Sequence, residues 1–369
     1  MRRKIFGASD IIPMWVADTD FRVPDFILEA IRMRMEHEIL GYSFRSDDEY
    51  EAIINWLYRR HQWQVEKEWI GFTPGVVPGL NMAVLAFTEP GDKIIIQTPV
   101  YHPFHFAVKD HNRQLVTNPL QLHDGRYYMD LDNLKDQIDE KTKMIILCSP
   151  HNPTGNVWKK DELKELAAIC IQKNILIISD EIHADIIYPG HKHVPTAMIS
   201  EEIGNNVITL MAASKTFNYA GLSTSYFIAS NKQLFDTLNG FIAKFHLSMG
   251  NIFGNVAMQA AYTHGEAWLE QLMAYLWKNV ELARDFINSK LPDVKLVEPE
   301  ATFLLWTDFK SFGLSSTELK KKMIEKAGLG FSDGFIFGSD GAGFQRINIG
   351  CPQSVLENAL NKIKSAFYK

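Results

Sequence analysis

Short runs of apolar residues recur along the middle of the chain, and longer amphipathic segments separate them. The runs are rich in Ile and Val and cover residues 93–97, 144–148, 175–179 and 207–211, with a weaker one at 226–229. Runs of this length that are apolar at nearly every position are typical of strands buried on both faces, as in parallel sheets. The pattern therefore predicts a central, mostly parallel sheet.

The segments between these runs have helical periodicity. In residues 160–173, for example, Leu163, Leu166, Ala167 and Cys170 fall on one face of a helix. Strands that alternate with helices predict an α/β sheet built from right-handed crossovers.

The C-terminal third has a different pattern. A long amphipathic segment over 267–290 ends before Pro292, which excludes further helix. A strand (301–306), a helix (315–327), a glycine-rich loop (334–343), a strand (344–349) and a last helix are expected after it. The segment up to residue 40 lacks the strand pattern and is expected to pack with this second domain or to lie across the cleft. We therefore predict a large domain over 42–258 and a smaller α+β domain formed by 1–41 and 259–369.

Composition narrows the class of protein. The chain contains 38 Lys and Arg and 44 Asp and Glu, and the resulting net charge of −6 argues against a nucleic-acid partner. No run approaches the roughly 18–20 apolar residues that a spanning helix needs, so no membrane partner is expected. The apolar stretch near the N-terminus is broken by Ser9, Asp10 and Pro13, which is not the pattern of a signal peptide.

Cysteine and histidine usage predicts no metal site. Three scattered cysteines are too few for a disulfide framework or a zinc site, and we expect them to be buried in a protein of the reducing cytoplasm: Cys148, Cys170 and Cys351. Four histidines lie on separate predicted loops without ligand spacing, so no metal is assigned to them: His102, His105, His191 and His193.

Polar side chains directly follow the predicted strands. Ligands of open α/β sheets bind in this place, beyond the carboxyl ends of the strands. Tyr101, Asn152, Asp180 and Lys215 each come shortly after one of the four strong runs. Any one of them alone would be read as a turn or surface residue. Together they supply an aromatic ring, an amide, a carboxylate and an amine at one edge of the sheet.

This set matches the needs of pyridoxal 5'-phosphate (PLP). Its aldehyde requires a lysine, its pyridine nitrogen an acid, its phenolic oxygen a neutral donor and its ring a stacking partner. Its phosphate requires backbone N–H groups at a helix N-terminus, which the turn 75–80 before the helical run 81–87 offers. A nucleotide-binding α/β module is a poor alternative, since neither G-x-G-x-x-G nor G-x-x-x-x-G-K-[ST] occurs.

Three motifs, in this order, resemble the fold-type I PLP enzymes of the aspartate aminotransferase superfamily. They are N-P-T-G at 152–155, S-D-E-I-H at 179–183 and S-K-T-F-N-Y-A-G-L at 214–222. More narrowly, the chain is similar to the cystathionine β-lyase-type C–S lyases, a branch of the class I/II aminotransferases. The segments M-W-V-A-D-T-D-F at 14–21, F-T-P-G-V-V at 72–77 and R-I-N-I-G-C at 346–351 also match that branch.

The resemblance implies a role for each strand-end residue. Lys215 would hold the cofactor as a Schiff base and act as the catalytic base for the α-proton. Asp180 would pair with the pyridine nitrogen, Asn152 would bind the phenolic oxygen, and Tyr101 would stack on the ring. His183 would lie near the cofactor.

For the phosphate, the resemblance implies the backbone N–H groups of Val76 and Val77 and the hydroxyl of Ser214. Tyr42 resembles a tyrosine that reaches the phosphate of the neighbouring subunit, which implies a homodimer with a shared site. The wider superfamily places a serine three residues before the lysine and an arginine eight after it. Here those positions hold Ala212 and Ser223, so the phosphate must be held differently.

Arg346 resembles the arginine that holds the substrate's α-carboxylate, a bidentate task that suits arginine better than lysine. Trp15 would also contact the substrate. Relatives usually carry more residues before the P-M-W motif at 13–15, which leaves a further N-terminal element open.

The implied activity is PLP-dependent C–S β-lysis, in which L-cystathionine or a related S-substituted cysteine gives a thiol, pyruvate and ammonia. An aminotransferase of the same superfamily, or a PLP protein with a mainly regulatory role in protein interactions, stays an alternative. The residues named would serve lysis and amino transfer alike, so the physiological substrate stays open.

Overall fold

The structure is a computed structural model that describes residues 11–368. Residues 1–10 of the predicted small domain, with Ser9 and Asp10, lie outside the described residues, as does Lys369. The domain boundaries themselves stay a prediction.

Fifteen strands occur within residues 11–368. In chain order they are β1 (Ile12–Pro13), β2 (Ile70–Thr73), β3 (Lys93–Ile96), β4 (Gln114–Thr117), β5 (Gln121–His123), β6 (Arg126–Tyr128), β7 (Thr142–Cys148), β8 (Leu176–Asp180), β9 (Val207–Met211), β10 (Ser225–Ile228), β11 (Lys295–Leu296), β12 (Leu304–Asp308), β13 (Leu329–Gly330), β14 (Ser332–Asp333) and β15 (Phe344–Asn348).

The same part of the chain contains twelve α-helices. They are α1 (Asp25–Glu36), α2 (Asp47–His61), α3 (Val76–Phe87), α4 (Pro103–Lys109), α5 (Leu131–Gln137), α6 (Lys160–Gln172), α7 (Glu201–Gly204), α8 (Lys232–Lys244), α9 (Ile252–His264), α10 (Glu266–Lys290), α11 (Ser316–Glu325) and α12 (Gln353–Phe367). None of these described helices is long and apolar enough to cross a membrane.

The central sheet has seven strands in the order β2-β10-β9-β8-β7-β3-β4. The five strands from β9 to β4 run parallel, whereas β10 pairs antiparallel with both β9 and β2. All five predicted strands are present, within a few residues of their predicted ends. The prediction of an α/β fold with a large, mostly parallel sheet is confirmed.

Helices cover both faces of this sheet, which explains the uninterrupted apolar runs. Strands β8 and β9 are buried at every position. Along β7, Ile145 belongs to the same core cluster as Leu163 of α6, and the next residue, Ile146, to the cluster of Leu80 of α3. Successive side chains point to opposite faces, and burying each contributes about 1.5–3 kcal/mol.

A second sheet, in the order β11-β12-β15-β14, lies in the C-terminal part of the chain. The N-terminal segment joins this part through β1, which pairs parallel with β13. The predicted strand 301–306 starts later, at Leu304, because Thr302 adopts a φ of 69°, a left-handed conformation that a β-branched residue in a strand does not adopt. The predicted loop 334–343 contains two short 3-10 turns, Gly334–Phe337 and Ser339–Gly341.

Helix α3 differs most from its prediction. It begins at Val76 rather than at residue 81, so Pro78 lies inside its first turn. Proline is tolerated there because the first N–H groups of a helix have no partner within the helix. The earlier start brings the N-terminus of α3 to the edge of the sheet at which the predicted site residues collect.

Candidate active site

A cavity of about 280 Å³ lies beyond the carboxyl ends of the central parallel strands. Eight residues expected at the site line it together: Val76, Val77, Tyr101, Asn152, Asp180, His183, Ser214 and Lys215. Ala212 and Ser223, where the chain departs from the wider superfamily, line it as well. The lining runs from Ala17 to Thr224, so the topology brings together residues that lie up to 207 positions apart in the sequence.

Asp180, the last residue of β8, is a buried carboxyl at the floor of the cavity. Its pKa is raised to about 7, mainly by burial and also by the charge of Glu181, although a hydrogen bond from the Ile182 N–H and the charge of Lys215 oppose the rise. A buried carboxyl with a raised pKa binds a cationic partner favourably, because ionisation is then compensated by the partner's charge.

Lys215 reaches the opposite side of the cavity, against the N-terminal segment. Its Nζ donates to the Ala17 carbonyl oxygen at 2.7 Å and lies 3.2 Å from Oδ1 of Asp18. Neither Ala17 nor Asp18 was predicted to lie at the site, although both belong to the motif at 14–21.

Residues 14–21, named the N-terminal strap from here on, cross the site without helix or strand structure. The strap is held mainly through its backbone carbonyls. Arg346 donates to the Trp15 carbonyl at 2.6 Å, and Asn348 donates to those of Val16 and Asp18. Further along, Asn218 donates to the carbonyls of Thr19 and Phe21 at 2.9 and 2.7 Å. The strap therefore ties the Lys215 loop to strand β15.

Arg346 lies on β15 and is buried beside the cavity. Its Nη1 donates to Asn152 Oδ1 at 2.9 Å, while its Nε is buried without a hydrogen-bond partner among the described residues. Burial lowers its pKa to about 10, so the guanidinium stays charged at neutral pH. A desolvated cation with an unpaired donor is suited to bind a carboxylate. Trp15 and Arg346 do not line the cavity itself but adjoin it through Asn152 and the strap.

His183 contributes a neutral ring to the cavity wall. Its pKa is lowered to about 3, mainly by burial and also by the charges of Lys215 and Arg346. Its Nδ1 is buried and has no hydrogen-bond partner in the described part of the chain. Tyr101, across the cavity, has its pKa raised by burial and keeps its phenol protonated.

One end of the cavity is suited to an anion. The first turn of α3 points at it with no side-chain cap, so the N–H groups of Val76 and Val77 are available, and helix N-termini favour negative charge. The side chains of Ser214, Ser223 and Thr224 line the same cavity. Ser223 and Thr224 were not predicted to line the site, because no motif signals their hydroxyls.

Tyr42 does not reach the cavity of its own chain. Its side chain is 94% exposed, and the neighbouring residues expose an unusual number of large apolar side chains: Met33, Met35, Ile39, Leu40 and Phe44. Large apolar side chains exposed together in one short segment, called the apolar patch below, are typical of an interaction surface.

Beneath the cavity, two buried carboxylates each have a histidine partner. His61 Nε2 lies 3.0 Å from Asp185 Oδ1, and Thr216, the neighbour of Lys215, donates to Asp185 Oδ2 at 2.9 Å. His193 Nε2 lies 2.8 Å from Oε2 of Glu181, the neighbour of Asp180. Burial opposes ionisation of both carboxylates, but the histidines and hydrogen bonds hold their pKa values below the usual range. These carboxylate–histidine contacts support the backbone that carries Asp180 and Lys215.

The three cysteines are free and buried, as expected. Cys148, at the end of β7, also lines the cavity, and burial raises the pKa of its thiol well above the ordinary value. The thiol is therefore protonated and acts as a small apolar group in the wall.

The chain belongs to the family described as Aminotransferase class I and II, which matches residues 12–363. This confirms the family expected from the motifs. The chain is 40% identical to the cystathionine beta-lyase PatB of Bacillus subtilis over 364 residues, which span 98% of this chain and 94% of that protein.

Two solved structures have the same fold over nearly their whole length. Cystalysin from Treponema denticola, which contains a pyridoxal 5'-phosphate cofactor, has a TM-score of 0.95 at 35% identity, covering 97% of this chain and 91% of the other. The PLP-bound C-S lyase from Staphylococcus hominis has a TM-score of 0.93 at 36% identity, covering 100% and 94%.

Proposed function

We propose that this chain is a PLP-dependent C–S β-lyase. The observation that carries the proposal is the joint lining of one cavity by Lys215 and Asp180, with the unpaired donor of Arg346 beside them. The full-length similarity to a cystathionine beta-lyase selects lysis among the reactions that such a site supports.

The cavity fits the cofactor at both ends. The raised pKa of Asp180 suits the protonated pyridine nitrogen, and the uncapped first turn of α3 suits the phosphate. When bound, pyridoxal phosphate supplies an aldehyde that joins amines covalently and a ring that withdraws electrons from the substrate's α-carbon. Lys215 would hold the aldehyde.

The remaining contacts follow the same geometry. Asn152 would bind the phenolic oxygen, Tyr101 would cover one face of the ring, and the unpaired Nδ1 of His183 would face the cofactor. For the phosphate we propose the N–H groups of Val76 and Val77.

Three hydroxyls would complete the phosphate site: those of Ser214, Ser223 and Thr224. They are neutral donors that would hold the phosphate without an arginine at position 223, with the Thr224 hydroxyl turning to it from the Leu222 carbonyl.

On the substrate side, Arg346 would bind the α-carboxylate, with Nε as an available donor, and Trp15 would close the site from the strap. Lys215 Nζ would take the α-proton as a general base.

After proton removal, a thiolate would leave from the substrate's β-carbon. For L-cystathionine, substrate and one water give homocysteine, pyruvate and ammonia, which balances all atoms.

Incubation with L-cystathionine should release pyruvate and homocysteine in equal amounts without an added 2-oxo acid. Lactate dehydrogenase coupling measures pyruvate, and a thiol reagent measures homocysteine. L-Serine, which lacks the good leaving group, is the matched control. Amino transfer that requires a 2-oxo acid, without pyruvate release, would instead establish the aminotransferase alternative. A panel with L-cystine and S-alkyl cysteines would rank the substrates.

We also propose a homodimer in which Tyr42 completes the partner's site, because the residue is exposed beside an apolar patch and lies outside its own cavity. The protein should have twice the mass of the chain in solution by light scattering. The three free, buried cysteines fit the reducing cytoplasm as its location.

Mixing two inactive variants tests the shared site directly. In a heterodimer of Tyr42→Ala and Lys215→Ala chains, one site carries both changes and the other carries neither. Random pairing should therefore restore about a quarter of the wild-type activity, since half of the dimers have one of two sites intact. Mixtures that stay inactive although mixed dimers have formed would contradict the shared site.

A further inference from the structure

The carboxylate of Asp18 contacts the amine of Lys215 rather than the groups that hold the strap. The strap is fixed through backbone carbonyls, including that of Asp18 itself, which accepts from Asn348. The Asp18 side chain is half exposed, follows the cavity-lining Ala17 in sequence, and has its Oδ1 3.2 Å from Lys215 Nζ. Its charge therefore acts on Lys215 and on any group that approaches the Lys215 amine.

Proton transfer fixes where the substrate must lie. The α-carbon has to come within about 3–3.5 Å of Lys215 Nζ for the proton to move. Because Asp18 is in contact with the same Nζ, its carboxylate is within reach of the first groups of the substrate's side chain. Asp18 thus faces the position at which lysis and transamination substrates differ.

Few positively charged side chains lie near the place where the substrate's side chain would bind. Among the described residues that line the cavity there is no arginine, and Lys215 is the single lysine. Arg346 is adjacent but is directed at Asn152 and the Trp15 carbonyl, where the α-carboxylate would bind. If the substrate carried a second carboxylate on a short side chain, Asp18 would repel that carboxylate. No arginine among the residues that line the cavity would compensate the repulsion.

We propose that Asp18 is a specificity-determining residue that excludes amino acids with a carboxylate on a short side chain, such as L-aspartate and L-glutamate. The charge of Asp18 then favours substrates whose side chain is uncharged next to the β-carbon, as in the thioethers of S-substituted cysteines. The preference for thioethers rests on the proposed function. The exclusion of dicarboxylates is tested by a separate binding measurement that does not depend on lyase activity.

Binding of succinate and succinamate to the cofactor-loaded protein tests the exclusion without turnover. The two molecules differ by one charge and carry no amino group, so neither reacts. Wild type should prefer succinamate, and in Asp18→Asn and Asp18→Ser the ratio of the two Kd values should shift toward succinate by on the order of tenfold. Calorimetry gives both constants. Both variants keep the carbonyl contacts of the strap.

Asp132→Asn, which removes an exposed carboxylate on α5, is the matched control and should leave the ratio unchanged. A ratio that is the same in wild type and in both Asp18 variants would overturn the proposal, whether or not the protein cleaves cystathionine. Conversely, a shifted ratio in a protein without lyase activity would support the exclusion and refute the proposed function.

Discussion

Lys215→Ala should lose both the covalent link to the cofactor and nearly all turnover. The amine is the group that would hold the aldehyde, and it is also the proposed base at the α-carbon. A general base alone contributes about 10²–10⁴-fold, so the loss of both roles should lower kcat for cystathionine lysis by at least about 10⁴-fold. The fold should persist, because the strap is still held by Arg346, Asn348 and Asn218.

Borohydride reduction followed by peptide mass spectrometry measures the link directly. In wild type, the cofactor's mass should appear on the peptide that contains Lys215, and in Lys215→Ala on no peptide. Lys232→Ala, on the exposed start of α8, should behave as wild type. Labelling of a different lysine in wild type would refute the assignment of Lys215.

The central sheet was predictable because its strands are buried on both faces and so are apolar at nearly every position. The same signal could not fix where α3 begins. Pro78 resembles a loop residue in sequence, although it is compatible with a first helical turn. The start of β12 was also misplaced, since the left-handed conformation of Thr302 has no signature in its residue type.

The site was predictable as far as it follows strand ends. Asp180 and Lys215 come directly after β8 and β9, so topology alone brings them to one edge. Contacts between distant segments were not predictable from pattern. Asp18 meets Lys215 across 197 residues, and His61 meets Asp185 across 124. Such pairs depend on the packing of the finished fold, which no local periodicity encodes.

Asp180→Asn should keep the cofactor attached but slow the reaction. The amide has the same shape and can still accept from the Ile182 N–H, yet it cannot balance a positive charge on the cofactor's ring. Removing one partner of a buried charge pair costs about 3–5 kcal/mol, so kcat should fall by roughly 10²–10⁴-fold. Asp132→Asn is again the surface control. Unchanged kcat would show that the carboxylate is not the cofactor's partner.

The same substitution changes how the stability of the cofactor-free protein depends on pH. Burial raises the folded-state pKa of Asp180 from 3.8 to about 7, so between these values the folded protein binds a proton that the unfolded chain has released. The free energy of unfolding should therefore fall as pH rises through this window, by up to about 1.4 kcal/mol per unit from this group. Asp180→Asn removes this contribution. Denaturant unfolding should thus show wild type and variant to be similar near pH 4 and the variant to be more stable at pH 8, whereas equal differences at both pH values would show that Asp180 does not titrate in this range.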